Sequence, residues 1–295
     1  MPFGEDRPSW NVDGRDWPNR ESSQFIEAGG LRWHVQITGE GPRLLLLHGT
    51  GAATHSWRDL LPILARRFTV IAPDLPGHGF TAMPTSAGLS LRGMAGLVDA
   101  LLQKLGGPAD FAVGHSAGAA ILTTMAIQGL ASPKSIVALN GALLPMRGAG
   151  LFGPLARLLF LNPLAPRIFA WRAEDVQATR RLLKGTGSQI DEAGVEFYAR
   201  LFRRSGHVAA TLGMMANWEL DWLEPRLARL DVPLMLVAGT RDKAVPIAQA
   251  RDLAARLPGA RLFEIEGGHL VHEERAEAVA AIVFAKAGLH GSGRL

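Results

Sequence analysis

One serine sits between two glycines in the run Gly114, His115, Ser116, Ala117, Gly118. A serine hydroxyl attacks a carbonyl carbon only when a base takes its proton. The base in turn needs an acceptor that fixes its tautomer and steadies its charged form. Both partner types follow downstream. Asp242 stands just past the apolar run "PLMLVAG", and His269 just past "RLFEIE". Serine, acid and histidine, in that order and each beyond an apolar run, make a candidate triad. His272 competes with His269 for the role of base, while His48 reads as a loop anchor.

Acyl transfer also needs backbone N–H donors aimed at the oxyanion. Ala117, directly after the serine, is one expected donor. Thr50, in the small-residue loop "HGTGAATHSW", is the other. His55 and Trp57 of that loop, and His115 beside the serine, are candidate substrate contacts. So are Phe152, Arg157, Trp171, Met214 and Trp218 further along the chain. Asp74 and His78 in "APDLPGHGFT" read as scaffold. Neither the phosphate-loop pattern nor H-E-x-x-H occurs, and neither a cofactor nor a metal is expected.

Residues this far apart need a rigid frame to bring them together. Seven β-type runs ("LRWHVQIT", "RLLLLH", "FTVIAP", "DFAVGH", "SIVALN", "PLMLVAG", "RLFEIE") alternate with helical patterns such as "LRGMAGLVDALLQKLG" and "AGAAILTTMAIQGL". Most of the runs are apolar without a break, as strands covered on both faces are. The expected fold is α/β: a mostly parallel central sheet flanked by helices, with a helical cap inserted after the sixth core strand. Such sheets gather chemistry at the carboxyl ends of their strands, where the three candidates fall. Residues 1–141 are read as the first part of the core, beginning with an extended arm of about 20 residues. Residues 142–230 form the cap and 231–295 complete the core.

The chain has no cysteine, which excludes disulfides, thiolate metal sites and a cysteine nucleophile. Its net charge of +4 comes without a basic block, so no nucleic-acid partner is expected. The charge is uneven: residues 142–230 hold twelve Arg/Lys against eight Asp/Glu, a surplus equal to that of the whole chain. The polar, Pro-rich start has no signal-like apolar core, and no 18-residue apolar run occurs. A cytoplasmic location is expected, with peripheral membrane contact through the cap left open.

The motifs together resemble the α/β-hydrolase family: "HG" at His48, "DLPGHG" at Asp74, "GHSAG" around Ser116, "GTRD" ending at Asp242 and "GGH" ending at His269. The resemblance implies a Ser116–His269–Asp242 triad. Serine stands where dehalogenases and epoxide hydrolases carry aspartate. More narrowly, "DWPNRESSQFIEAGGLRWHVQ", "NGALLP", "NPLAPRIFAWRA", "GTGS" and "MMANWEL" are similar to the magnesium-chelatase-associated α/β-hydrolases of photosynthetic bacteria. That implies a place in bacteriochlorophyll biosynthesis and an association with magnesium chelatase. The cap's aromatic and aliphatic residues, with Arg157, Arg167 and Arg172, suit an apolar, carboxylate-bearing tetrapyrrole or ester. They equally suit a helix bundle with solvated arginines. The expected activity is esterase-like acyl hydrolysis. The alternatives are a C–C hydrolase, lyase or perhydrolase with the same triad, and a non-catalytic, porphyrin-binding accessory factor.

Overall fold

A computed structural model of the chain describes residues 6–145, 162 and 164–289. Phe152 and Arg157 lie outside the described residues.

Eight strands form one sheet: β1 (Ser23–Ala28), β2 (Leu31–Thr38), β3 (Arg43–Leu47), β4 (Thr69–Pro73), β5 (Phe111–His115), β6 (Ile136–Leu139), β7 (Leu234–Gly239) and β8 (Arg261–Ile265). Their spatial order is β1-β2-β4-β3-β5-β6-β7-β8. The β1–β2 and β2–β4 pairs are antiparallel and every other pair is parallel. β1 is not one of the apolar runs of the sequence. It is an edge strand whose side chains are mostly half-exposed, so it lacks an apolar run. Its signal is the turn: Gly29 and Gly30 both have positive φ (58° and 75°), as a two-residue hairpin loop demands.

The leucines of β3 explain the unbroken apolar runs. Leu44 and Leu46 enter one core layer, with Trp57, Phe68, the helix α1 (Leu60–Leu64) and Val283. Leu45 and Leu47 enter the opposite layer, against α2 (Leu91–Lys104) and α3 (Ala117–Ile127). Alternate side chains point to opposite faces and both faces are covered, so all four are buried. Each stabilises the fold by about 1.5–3 kcal/mol. α2 buries Leu91, Met94, Ala95, Val98, Leu101 and Leu102, the spacing of a single helical face, and starts where the Ser90 side chain accepts from Gly93 N–H.

Between β6 and β7 the regular elements among the described residues are all helices: α4 (Ala165–Arg172), α5 (Val176–Gly185), α6 (Glu192–Phe202), α7 (Ser205–Ala216), the short α8 (Leu220–Leu223) and a 3₁₀ turn at Glu224–Arg229. Asp175 and Asp191 cap α5 and α6 by accepting from Gln177 and Gly194 N–H. The chain closes with α9 (Ile247–Arg256), α10 (Val271–Glu274) and α11 (Ala276–Lys286).

Instead of an extended arm, residues 10–16 form turns. They are held because Trp17 is buried: its Nε1 donates to Thr54 Oγ1 at 2.9 Å, and its ring packs edge-on against Phe80 and Phe197. Burying a tryptophan so fully outweighs the entropy of an open chain.

Candidate active site

Ser116 is the single residue between β5 and α3, with φ 50° and ψ −115°. Positive φ in a non-glycine residue costs about 1–3 kcal/mol and persists only when the surroundings impose it. The two flanking glycines let them do so. A Cβ on Gly118 would lie 2.0 Å from the Leu47 carbonyl oxygen, and one on Gly114 would lie 2.5 Å from Ala119 N. Strand and helix can approach this closely only around bare backbone.

The candidate acid and base follow the last two parallel strands, β7 and β8. Asp242, buried three residues past β7, accepts from Ala244 and Val245 N–H through Oδ1 at 2.8 and 2.9 Å. Its Oδ2 accepts from His269 Nδ1 at 2.8 Å. A carboxylate only accepts, so the proton is on Nδ1 and Nε2 remains free to take another. The loop carrying His269 is tied down along its backbone. Its carbonyl accepts from Asn140 Nδ2 at 2.7 Å and from His115 Nε2 at 2.9 Å. Leu270 N–H donates to Ser188 Oγ at 3.0 Å, and Gly268 N–H to Glu274 at 2.8 Å.

The loop after β3 presses on the serine: a Cβ at Gly49 would sit 3.0 Å from Ser116 Cβ. Among the described residues neither Thr50 N–H nor Ala117 N–H donates to a protein acceptor. Two buried neutral histidines shape this loop. His48 accepts from Leu75 N–H at 2.9 Å and donates to the Gly49 carbonyl at 2.8 Å. His207, from α7, accepts from Gly79 N–H and donates to the Gly51 carbonyl, both at 3.1 Å. Burial lowers the His207 pKa to about 3, so it holds this pose uncharged.

The other candidate residues are distributed differently. Met214 is close, its sulfur accepting from Thr50 Oγ1 at 3.4 Å, and Trp218 is half-buried against the core layer of α2 and α3. His115 is wholly enclosed, 4.7 Å between ring centres from His269. Trp57 instead packs in the opposite core layer, on His272 at 4.6 Å, because its short 3₁₀ helix turns it away from the serine. His55 is likewise buried, edge-on to Tyr198 at 4.4 Å. Trp171 lies at the outer surface, 73% exposed, since α4 packs through its small residues. His272 makes no bond to Asp242; enclosed by Trp57 and His115, its pKa is driven well down by burial.

The residues missing from the sequence reading act at long range. Asn140, at positive φ just past β6, accepts from Gly239 N–H and donates to the Gly268 and His269 carbonyls. An asparagine ending an apolar strand was its only signal. Tyr198 of α6 donates to the buried Glu273 at 2.8 Å, and Arg58 pairs with Glu273 and with Asp191. Burial pushes the Glu273 carboxyl up to about 7 against the pull of Arg58 and Tyr198.

A strained serine on the strand-to-helix turn after β5, with an aspartate–histidine pair past the ends of β7 and β8, is the arrangement of a hydrolase class. The chain belongs to the alpha/beta hydrolase family, whose model matches residues 44–282. It is 40% identical over 277 residues to the magnesium-chelatase 30 kDa subunit of Rhodobacter capsulatus, covering 91% of this chain and 95% of that protein. It is 29% identical over 236 residues to a 2-hydroxy-6-oxo-6-(2'-aminophenyl)hexa-2,4-dienoic acid hydrolase of Metapseudomonas resinovorans, covering 77% of each. A solved alpha/beta hydrolase fold protein from Burkholderia ambifaria superposes with a TM-score of 0.74 at 26% identity, covering 89% of this chain and 97% of that one.

Proposed function

We propose that this chain is a serine hydrolase with Ser116 as nucleophile, His269 as base and Asp242 as its orienting acid. The observation that carries the reading is the 2.8 Å Asp242–His269 pair, which leaves His269 Nε2 without an acceptor or donor among the described residues, while Ser116 is held at positive φ directly after His115, whose ring centre lies 4.7 Å from that of His269. Ser116 Oγ attacks the carbonyl of an ester-like substrate while its proton passes to Nε2. The oxyanion is held by Thr50 and Ala117 N–H, neither of which donates elsewhere among the described residues. The imidazolium returns the proton to the leaving alcohol. Water, deprotonated at Nε2, then releases the acid and restores the serine.

The helices between β6 and β7 form the cap over this site, and Met214 and Trp218 are its substrate contacts among the described residues. The substrate class is an apolar, carboxylate-bearing molecule such as a tetrapyrrole ester, and the process is bacteriochlorophyll synthesis near magnesium chelation. The name of the Rhodobacter capsulatus relative, a magnesium-chelatase subunit, supports that setting. The same name favours a second reading, an accessory factor for chelation that hydrolyses nothing.

A fluorophosphonate probe separates the two. The enzyme reading expects one adduct per chain on Ser116, lost in Ser116→Ala and slowed by three to four orders of magnitude in Asp242→Asn. No adduct on folded protein refutes it. Ser116→Ala that supports pigment synthesis fully in cells establishes the accessory role.

A further inference from the structure

Helix α4 is amphipathic in reverse. Its buried residues are Ala165, Pro166 and Ala170, with Ala173 beyond, and Ala165 packs on Val208 and Leu212 of α7. Its large residues face out: Leu164 is 55%, Ile168 57% and Trp171 73% exposed. Their i, i+4, i+7 spacing puts them on one stripe. Arg167 and Arg172, both exposed, stand on either side of it. Of the eight large apolar side chains exposed among the described residues, six lie between 164 and 215. A solvated helix does not normally turn its bulk outward, and a patch of this kind marks a contact surface.

Charge selects the occupant. Arg172 and Arg181 share one carboxylate, Asp175, and Arg167 has none among the described residues. The face is therefore cationic around an apolar centre. A second copy of the same face would set arginine against arginine. An anionic bilayer offers both complements, acyl boundary for Leu164, Ile168 and Trp171, and headgroup phosphates for the arginines. No helix among the described residues is long and apolar enough to cross a membrane, so the contact lies in the plane of the surface.

We infer that the outward stripe of α4, rimmed by Arg167 and Arg172, seats the cap on an anionic lipid surface. This does not depend on the serine chemistry.

The test is sedimentation with vesicles of phosphatidylcholine containing about 30 mol % phosphatidylglycerol, against phosphatidylcholine alone. The wild-type chain is expected to bind the anionic vesicles, and more weakly as salt rises. Ile168→Glu with Trp171→Glu should lower partitioning at least about tenfold. Arg167→Gln and Arg172→Gln should lower it about fivefold each, on anionic vesicles only. Fluorophosphonate labelling and circular dichroism in the same samples establish that the variants are folded and that any failure of the lipid contact is separate from that of the hydrolase reading. Absence of wild-type binding overturns the inference. So does binding that the double glutamate variant leaves unchanged, or a wild-type dimer that the same variant dissolves while lipid binding persists.

Discussion

Acid should dismantle this protein over a narrow range, because so many of its histidines are buried neutral. His55, His78, His115 and His272 have pKa values driven well below the ordinary 6.5 by burial, and that of His207 falls to about 3. The unfolded chain binds protons at these groups near pH 6.5 and the folded chain does not. Their stabilisation is therefore complete above about pH 6.5 and is lost as pH falls below it. Between about pH 7.5 and 5.5 each group costs a little over about 1 kcal/mol, roughly 7 kcal/mol for the five. Glu273 acts in the opposite sense. Its carboxyl is raised to about 7, so it destabilises the fold at neutral pH and regains about 2 kcal/mol on the same descent. The net loss is about 5 kcal/mol, set against a total of 5–15 for ordinary domains. Urea titrations at about pH 7.5, 6.5 and 5.5, followed by circular dichroism, should show the midpoint falling steeply with little change in m. His55→Phe gives the control. Neither ring nitrogen of His55 has a partner among the described residues, so the change breaks no hydrogen bond there and should remove about one proton from the dependence. A stability change under about 1 kcal/mol across this range would refute the reasoning.

Three more outcomes follow from the packing. Gly118→Ala places a methyl 2.0 Å from the Leu47 carbonyl oxygen and should cost over about 3 kcal/mol, read as a lowered urea midpoint or loss of soluble protein. Asn140→Ala removes one acceptor and two donor contacts behind the His269 loop, so it should destabilise by about 2–4 kcal/mol and slow probe labelling of Ser116. Ser188→Ala strands Leu270 N–H, costing about 1–2 kcal/mol, and should slow labelling more than it lowers stability if the loop shifts.

The sequence made the frame legible because its signals are local. Continuous apolar runs report strands covered on both faces, and β3 shows why: its neighbouring leucines point into opposite layers. The order of Ser116, Asp242 and His269 needed only chain position, and each stands just past a strand in the structure. Orientation was not legible. Trp57 and His55 share a loop with Thr50, yet the 3₁₀ turn sends them into the interior, while Trp171 faces out because alanines fill the inner face of α4. Asn140, Ser188, Tyr198 and His207 were invisible as site residues because their partners lie some 75 to 130 positions away and no periodicity encodes such contacts.

The short loop after α5 has a bearing on how such proteins can be recombined. Thr186 accepts from Lys243 N–H beside the acid, Ser188 accepts from Leu270 N–H beside the base, and a Cβ on Gly187 would meet the Arg241 carbonyl oxygen at 1.9 Å. Three residues of the insertion are thus part of the mould in which the loops carrying Asp242 and His269 set. Exchanging the helices between β6 and β7 with those of another family member is not a change of hat. A chimera that leaves Thr186, Gly187 and Ser188 behind strips one backbone hydrogen bond from each of the loops that carry Asp242 and His269.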